Sequence, residues 1–317
     1  MKKGYLCIAI ATWLFSSMEI ALKLISGQFN PIQLTFSRFL AGGLVLLLLA
    51  IGTLRKRGLR LDGAALRAFA FLGLLGMTVA MSLYQMGVAR VEASVVAVLF
   101  SSNPIFVTLF AFLLLKEPIH KNQVLGLALD ICGILVIIRP WDLRLDPLGV
   151  LFVILSTLLF SLYSVCGKRQ CAKFGALVVT CFGFLFGSGE MMLLSLLTHI
   201  PAVSAAMLRA GLPVFSNIPF FTGYTLTNLP VILYIFLGVT GLGFSCYFLA
   251  MEHTSAQQTS LVFFFKPALA PVLAALALHE QIPFHMVCGI VLILCGSMSS
   301  LLPGLMAARR QRLSAEK

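Results

Sequence analysis

Apolar residues in this chain are grouped into long runs that alternate with short polar connections. Each run is long enough to cross a hydrocarbon core of about 30 Å as an α-helix. The pattern therefore predicts an all-α integral membrane protein with about ten transmembrane helices. We place them near residues 4–24, 31–54, 68–88, 93–115, 122–138, 147–167, 175–198, 229–251, 256–278 and 284–303.

The composition agrees with a location in the membrane. Hydrophobic residues make up 60% of the chain and charged residues 11%, and the mean hydropathy is +1.01. Soluble domains contain roughly 25% charged residues. The longest connection, near residues 199–228, is itself rich in Phe, Leu and Pro, so little chain is left for an aqueous domain. We therefore expect the protein to act within the membrane.

The basic residues are distributed unevenly between the two sides of the predicted bundle. The formal net charge is +12, and most of the 23 Lys and Arg residues fall on the side of the N-terminus and in the C-terminal tail. The opposite loops hold Arg90, Arg139, Arg144 and Arg209, and the helices hold Lys23, Arg38 and Lys266. This bias is typical of a multi-pass protein of a bacterial-type plasma (inner) membrane with both termini cytoplasmic. The positive charge therefore predicts contact with membrane lipid and no nucleic-acid partner.

The two halves of the chain repeat each other. Residues 93–119 align without a gap with residues 256–282, which lie 163 positions further on. The matching pairs include Tyr84 with Tyr247, Pro104 with Pro267, Glu117 with Glu280, Gly126 with Gly289 and Gly133 with Gly296. We therefore predict two units of five helices each, residues 1–140 and residues 141–317, the second ending in a basic cytoplasmic tail.

An odd number of helices in each unit determines the orientation of the second unit. Because five is odd, the second unit must enter the membrane from the opposite side, which makes the two units inverted repeats. Inverted repeats are typical of transporters that expose one central site alternately to the two sides of the membrane. The repeat thus predicts alternating access around a central cavity.

A positive charge and helix-breaking residues occur at the same depth of the ninth predicted helix. Lys266 directly precedes Pro267, and Pro271 follows one turn later. A lysine in the middle of a membrane costs about 2.5–3.5 kcal/mol, and freed backbone carbonyls need protein or water to bond them. We therefore predict helix breaks at Pro104, Pro267 and Pro271 around a hydrated cavity. Asn103 is the neutral counterpart of Lys266 in the first half.

Four segments carry a resemblance to a known family. They are TWLFSSMEIALKL, TFSRFLAG, NPIFVTLFAFLLLKEPIHKNQVLGLALDICGILVI and its second-half counterpart KPALAPVLAALALHEQIPFHMVCGIVLILCG. On these segments the chain resembles the EamA family of the drug/metabolite transporter superfamily, over nearly its whole length. The resemblance implies ten helices in two inverted five-helix repeats, a central cavity, and movement of amino acids, nucleobase-like compounds or other small metabolites, often outward.

Ionisable residues inside the predicted helices are the first candidates for the site. They are Glu19, Lys23, Arg38, Asp130, Glu190 and Lys266. Such groups mark substrate or ion pathways by default, but acids and bases in a bundle also neutralise one another as buried pairs. Lys266 has Glu19 and Glu190 as candidate partners. Glu19 and Lys23, four residues apart, are in the order that favours an ion pair within one helix. For Arg38, packing and a role at the cavity remain equal alternatives.

Further polar residues complete the predicted set. Asp130 and Glu190 are candidate proton carriers for coupled transport, because a carboxylate in a poorly hydrated site can take up a proton; a bond to a neighbouring helix is the alternative. Tyr84 and Tyr247 are predicted to face the cavity, where a ring with a hydroxyl contacts apolar and polar parts of a metabolite; packing is the alternative. Glu280 is expected beside the start of the helix that follows it, where the helix dipole stabilises a carboxylate.

An enzyme and a non-transporting sensor or scaffold are the alternatives to a transporter. The sequence HEQIPFH spaces its histidines six apart with a proline between them, which does not match a zinc-protease helix, and the eight cysteines lack metal-ligand spacing. We therefore predict no enzyme activity, no metal and no cofactor. The prediction is a secondary transporter, with export as the expected direction, of a small anionic or zwitterionic metabolite such as an amino acid. It is coupled to a proton or another ion or works as a facilitator.

Overall fold

Helices account for the regular structure of the chain. The computed structural model describes residues 2–116, 121–139, 145–253, 259, 261–296 and 298–299, and within these residues no β-strand is found. Seven helices of the described part are long and apolar enough to cross a membrane. Three shorter apolar helices cover Val124–Ile137, Phe265–Leu278 and Phe284–Gly296. The all-α membrane class is confirmed, whereas the count of ten crossings and the inverted repeat stay predictions.

The first five predicted stretches contain eight helices in the described residues, because several stretches are interrupted. The helices are α1 (Lys2–Ser16), α2 (Met18–Leu24), α3 (Pro31–Arg57), α4 (Gly63–Leu72), α5 (Met81–Arg90), α6 (Ala93–Phe100), α7 (Asn103–Leu115) and α8 (Lys121–Ile138). A π-helical segment, Gly73–Ala80, joins α4 to α5. Side-chain caps fix two of the starts, since Asn30 accepts a hydrogen bond from Ile32 N and Asp62 accepts one from Ala65 N.

The second half contains the remaining helices of the described residues. They are α9 (Pro147–Phe174), α10 (Ala176–Leu197), α11 (Pro201–Arg209), α12 (Leu229–Leu233), α13 (Phe244–His253), α14 (Leu261–Leu278) and α15 (Phe284–Gly296). A second π-helical segment, Tyr234–Gly243, joins α12 to α13. Helix α9 runs past its predicted end, with Lys173 in its last turn, where a positive charge suits the helix dipole. Parts of the ninth and tenth predicted stretches lie outside the described residues.

The prolines behave differently in the two halves. Helix α6 ends at Phe100 and α7 begins at Asn103, so the chain breaks just before Pro104. Pro104 is the second residue of α7, where its missing N–H leaves no helical hydrogen bond unmade. Helix α14, by contrast, continues through Pro267 and Pro271. The predicted breaks at these two prolines are therefore wrong, because each proline removes one backbone hydrogen bond without ending the helix.

The two π-helical segments occupy similar places in the third and eighth predicted helices. Each overlaps one of two similar sequences, FLGLLG at 71–76 and FLGVTG at 236–241. π-helices are rare and are often found at functional sites. The similarity of these two sequences is visible in the chain, but the wide helical turns were not predicted from it.

Helices α8 and α15 cross closely through glycines that the predicted repeat relates. A Cβ atom on Gly133 would lie 2.8 Å from the carbonyl oxygen of Gly289, and one on Gly296 would lie 2.6 Å from that of Gly126. The contacts run in opposite order along the two helices, so the crossing is antiparallel. Small residues let helices approach this closely. An antiparallel crossing of equivalent helices supports the predicted inverted repeat.

The connection near residues 199–228 folds over one end of the bundle. Besides α11 it contains Ile218, which packs in a small apolar cluster with Phe36 of α3. The Gln33 side chain donates a hydrogen bond of 2.7 Å to the carbonyl oxygen of Thr222. The connection is therefore part of the packed structure at the start of α3.

Aromatic rings fill the centre of the bundle. The Phe244 ring centroid lies 5.0 Å from that of Phe15, 5.2 Å from Phe184, 6.0 Å from Phe39 and 6.3 Å from Phe160. The four partner rings belong to α1, α10, α3 and α9. Such aromatic pairs contribute about 0.5–1.5 kcal/mol each beyond the burial of their area. The cluster thus joins helices from both halves of the chain.

Replacing Gly289 by Val is expected to destabilise the protein. The added Cβ would lie 2.3 Å from Ile137 Cγ1 and 2.7 Å from the backbone oxygen of Gly133. Overpacking of this kind costs about 1–3 kcal/mol. Gly52→Val is the matched control, because a Cβ at Gly52 meets no atom within 4 Å. The measurement is thermal unfolding of the detergent-solubilised protein, and equal midpoints for the two variants would contradict the close crossing.

Candidate functional site

Lys266 and Glu19 form a buried ion pair inside the bundle. Lys266 Nζ lies 2.5 Å from Glu19 Oε1, and the two side chains are 1% and 0% exposed. The hydroxyl of Tyr84 donates a hydrogen bond to the same carboxylate oxygen. Glu19 on α2 is therefore held by donors from α14 and α5, and it is the one of the two predicted acids that pairs with Lys266. The pair links the two halves of the chain.

The first span is interrupted just before Glu19. Helix α1 ends at Ser16, and Ser17 stands between α1 and α2. The Ser17 hydroxyl lies 3.0 Å from the carbonyl oxygen of Trp13 and 2.5 Å from the hydroxyl of Tyr234. Serine side chains that bond to the preceding turn often bend helices. The two consecutive serines before Glu19 could have indicated this break, but it was not predicted from them.

Phe100 covers the other side of the lysine ammonium group. Lys266 Nζ lies 5.0 Å from the centroid of the Phe100 ring, and the ring of Tyr84 meets Phe100 edge-on at 4.9 Å. A desolvated cation over an aromatic face gains about 2 kcal/mol. Lys266 thus has a carboxylate and a ring as neighbours. The surroundings are closed, and the open hydrated cavity that the sequence predicts at this position is not present in the described residues.

Arg38 is the second buried cation near Glu19. Its side chain is 0% exposed, and the guanidinium carbon lies 4.6 Å from the ring centroid of Phe39. Nη1 contacts Met18 Sδ at 3.8 Å. Nε and Nη2 have no hydrogen-bond partner. Of the two predicted alternatives for Arg38, the structure provides packing contacts but no acidic partner for the free donors among the described residues.

Asn103 forms the neutral counterpart of the ion pair. Its side-chain amide donates a hydrogen bond of 2.6 Å to Ser161 Oγ on α9, and the Asn103 backbone oxygen lies 3.2 Å from the same hydroxyl. In each half, the residue before the repeated proline therefore contacts the first predicted span of the other half. The contact is ionic at Lys266 and a hydrogen bond at Asn103.

The remaining three predicted residues, Glu190, Asp130 and Tyr247, contact groups other than the ion pair. Glu190 accepts a hydrogen bond of 2.9 Å from the hydroxyl of Thr78. Asp130 lies at the α8–α15 crossing, 3% exposed, with no hydrogen-bond partner for Oδ1. Tyr247 packs against Phe263, with ring centroids 5.6 Å apart. The sequence could not separate these residues from the central ones, because buried polar side chains look alike along a chain.

Lys23 does not take the partner that its spacing predicts. Its Nζ donates hydrogen bonds of 3.0 Å and 2.8 Å to the carbonyl oxygens of Val88 and Val91. These carbonyls lie at the end of α5, where helical partners run out. Of the two alternatives for Glu19, a pair with Lys23 or a role at the site, the pair with Lys23 is not formed, because each residue has a partner on another helix.

Glu280 stabilises a helix of the other half of the chain. Its carboxylate accepts hydrogen bonds from Ala93 N at 2.8 Å, Ser94 N at 3.0 Å and Ser94 Oγ at 2.7 Å. It thus caps the start of α6 and does not cap the helix that follows it, which corrects the sequence-based expectation. Glu117, its counterpart in the repeat, lies outside the described residues. We call this the Glu280 closure.

A second closure lies at the opposite end of the bundle. Arg57, at the end of α3, forms an ion pair with Glu252 near the end of α13. Glu252 also accepts a hydrogen bond of 3.4 Å from Ala176 N at the start of α10. Both side chains of the pair are 35% exposed. We call this contact the Arg57 closure.

An open cavity lies between the first span, α12 and α14. Its volume is about 600 Å³, and its lining is apolar apart from Ser17 and Tyr234. It is bordered by Trp13, which is largely exposed, and by Leu276 of α14. Ion recognition needs polar or charged groups, so the apolar lining of this groove does not suit a charged ligand. The enclosed pair is the better candidate.

Comparison with known proteins gives one family and several relatives. The model of the EamA-like transporter family matches residues 2–139 and 147–302. An uncharacterized transporter of Clostridium kluyveri is 34% identical over 94% of this chain and 93% of its own length. Protein PecM of Dickeya dadantii is 27% identical over 83% of this chain and 80% of its own length.

A solved structure shares the fold of this chain. It is titled "Crystal structure of protein". The alignment covers 98% of this chain and 99% of the other chain, and the TM-score is 0.65. The sequence identity is 19%, so the likeness concerns the fold alone. The same helical architecture has therefore been observed in another protein over nearly the full length.

Lys266→Met and Glu19→Gln are each expected to destabilise the protein, because each leaves the opposite charge buried without a partner. Removing one partner of a buried pair costs about 3–5 kcal/mol. The double variant should lose less stability than the sum of the two single variants, since neither charge remains. Thermal unfolding of the solubilised variants measures this coupling.

The exposed pair Arg90–Asp146, with 2.9 Å between Nη1 and Oδ2, is the matched control. Asp146→Asn is expected to change stability by at most about 1 kcal/mol, because solvent screens exposed ion pairs. Strictly additive effects at Lys266 and Glu19 would contradict a coupled buried pair.

Proposed function

Because the chain belongs to the EamA-like transporter family, we propose that it is a secondary transporter that exports a small metabolite such as an amino acid or a related compound. The observation that carries the proposal is the enclosed ion pair between Lys266 and Glu19. Ionisable groups inside a membrane bundle are costly, and they commonly mark the path of a substrate or an ion. The pair lies where two halves of the chain meet, as a central site requires.

The proposed mechanism is alternating access between two inverted five-helix units, residues 1–140 and residues 141–317. The antiparallel crossing of α8 and α15 supports this arrangement. The similar positions of the two π-helical segments support it as well. In such a mechanism one unit rocks against the other, and the central site opens to one side at a time.

The two closures are the proposed gates of this cycle. With both termini in the cytoplasm of a bacterial-type cell, the Arg57 closure faces the cytoplasm and the Glu280 closure faces outward. The exposed Arg57–Glu252 pair is worth at most about 1 kcal/mol, so it can open without a large cost. With both gates shut, the enclosed ion pair corresponds to an occluded state.

Glu19 is the proposed coupling residue. Its carboxylate holds both the ammonium group of Lys266 and the hydroxyl of Tyr84. Uptake of a proton by Glu19 would remove the charge that holds Lys266 and would loosen α2 from α14. A proton that binds here would thus change the contact between the two halves, which is what coupling to transport requires.

The proposal is tested by comparing metabolites inside and outside bacterial cells that express the wild type, Lys266→Met or Lys56→Met at matched membrane abundance. Lys56 is exposed at the Arg57 end and serves as the control. We expect a small metabolite to accumulate outside cells with the wild type and with Lys56→Met, and not with Lys266→Met. If the wild type moves no metabolite, a sensor or scaffold becomes the better hypothesis.

The gates are tested by hydrogen exchange of backbone amides in purified protein. In Glu280→Gln, exchange at Ala93 and Ser94 is expected to rise, because these N–H groups lose a charged acceptor. Exchange at Ala176 should stay unchanged or fall in that variant. Arg57→Gln should produce the reverse pattern. Equal increases at both ends in both variants would indicate general loosening and would contradict alternating gates.

A further inference from the structure

Arg38 carries a positive charge that the surrounding side chains do not balance. The guanidinium group contacts the thioether of Met18 and the face of the Phe39 ring. A thioether is a weak acceptor, and a ring face offers no lone pair. Nε and Nη2 are buried without any hydrogen-bond partner. Buried polar groups in folded proteins nearly always have such partners, so these free donors need an explanation.

Among the described residues, the acid that acts on Arg38 already has a cation of its own. This acid is Glu19, which follows Met18, the residue that Arg38 contacts on α2. Glu19 Oε1 is held by Lys266 of α14 and by Tyr84. Among the described residues, two buried cations, Lys266 and Arg38, therefore have one carboxylate near them, which leaves an excess of one positive charge.

The free donors of Arg38 have the geometry that anionic oxygens require. A guanidinium group is planar, stays charged in proteins, and binds a carboxylate or a phosphate through two parallel N–H···O hydrogen bonds. A buried charge of this kind is stable only with an opposite charge nearby. Because no described side chain offers an anion to Nε and Nη2, an anionic group of the transported molecule would satisfy these donors.

We propose that Arg38 is the anchor for the anionic group, carboxylate or phosphate, of the metabolite that this protein moves. The inference rests on the proposed transport function and names the substrate class. It also separates the roles of the two cations. Lys266 is already neutralised by Glu19 and holds the two halves together, whereas Arg38 has free donors for the substrate.

The first experiment compares metabolites moved by cells that express the wild type, Arg38→Gln, Arg38→Lys or the control Arg55→Gln. Arg55 is exposed at the Arg57 end of α3 and does not touch the site. We expect the wild type and Arg55→Gln to move compounds that carry an anionic group. Arg38→Gln should reduce this transport about 10- to 100-fold, because a charge-assisted hydrogen-bonded contact is lost. Arg38→Lys keeps the charge but loses the planar fork, so an intermediate loss is expected.

The second experiment measures anion binding without transport. The thermal unfolding midpoint of the purified protein is recorded with acetate, inorganic phosphate, chloride and the neutral amide acetamide, the three salts at equal ionic strength. We expect acetate or phosphate to raise the midpoint of the wild type above its value in chloride, and acetamide to leave it unchanged. A larger effect of acetate indicates a carboxylate substrate, and a larger effect of phosphate indicates a phosphorylated one. In Arg38→Gln the difference should disappear.

The two experiments separate failure of the inference from failure of the proposed function. If the wild type moves compounds that carry no anionic group, or if Arg38→Gln moves the same compounds equally well, the anion site is wrong and transport stands. If anions stabilise the protein through Arg38 but no metabolite moves, the anion site stands and transport is wrong. If Arg38→Gln does not fold, equal midpoints of the wild type in acetate, phosphate and chloride overturn the anion site.

Discussion

Charge neutralisation in an apolar interior is the constraint on which the rest of this structure depends. An isolated ammonium group cannot remain inside a bundle of apolar helices, so Lys266 must have a counter-ion within reach. Glu19 meets this need from the opposite half of the chain, which fixes α14 against α2. Tyr84 then holds the carboxylate from a third helix. One electrostatic requirement thus determines which helices meet at the centre.

Irregular backbone accompanies these polar contacts. Ser17 interrupts the first span two residues before Glu19, and the fourth stretch breaks between Phe100 and Asn103, beside the ring that covers Lys266. An uninterrupted helix forms all of its own backbone hydrogen bonds, but one part of it cannot change direction without the rest. Breaks are tolerated inside a membrane where other protein groups bond the backbone. At Ser17 the hydroxyl of Tyr234 joins the serine hydroxyl, so the interruption is itself held by a neighbouring helix.

The sequence predicts the elements of this fold better than their contacts. Runs of apolar residues place the helices well, because length and hydrophobicity are properties of one segment. The choice between Glu19 and Glu190 as the partner of Lys266, and between Lys266 and Lys23 as the partner of Glu19, depends on distances between segments. Spacing four residues apart favoured Lys23, yet the free carbonyls at the end of α5 bind it instead. The effect of the prolines on helix continuity depends on packing in the same way. A proline removes one backbone hydrogen bond, but packing decides whether the helix ends there, and α14 continues through Pro267.

The two halves differ most in the strength of their equivalent contacts. Breaking the hydrogen bond between Asn103 and Ser161 costs about 0.5–1.5 kcal/mol, whereas separating a buried ion pair such as Lys266–Glu19 costs several times more. If both contacts stayed intact, the two halves could not rock against each other. If the ion pair broke with no replacement for either charge, the motion would be slow. The inexpensive contact is therefore expected to open and close during each cycle, while the ionic contact changes only when a proton or a substrate alters its charge. In the proposed cycle, the asymmetry between two otherwise equivalent positions would assign movement and coupling to different halves.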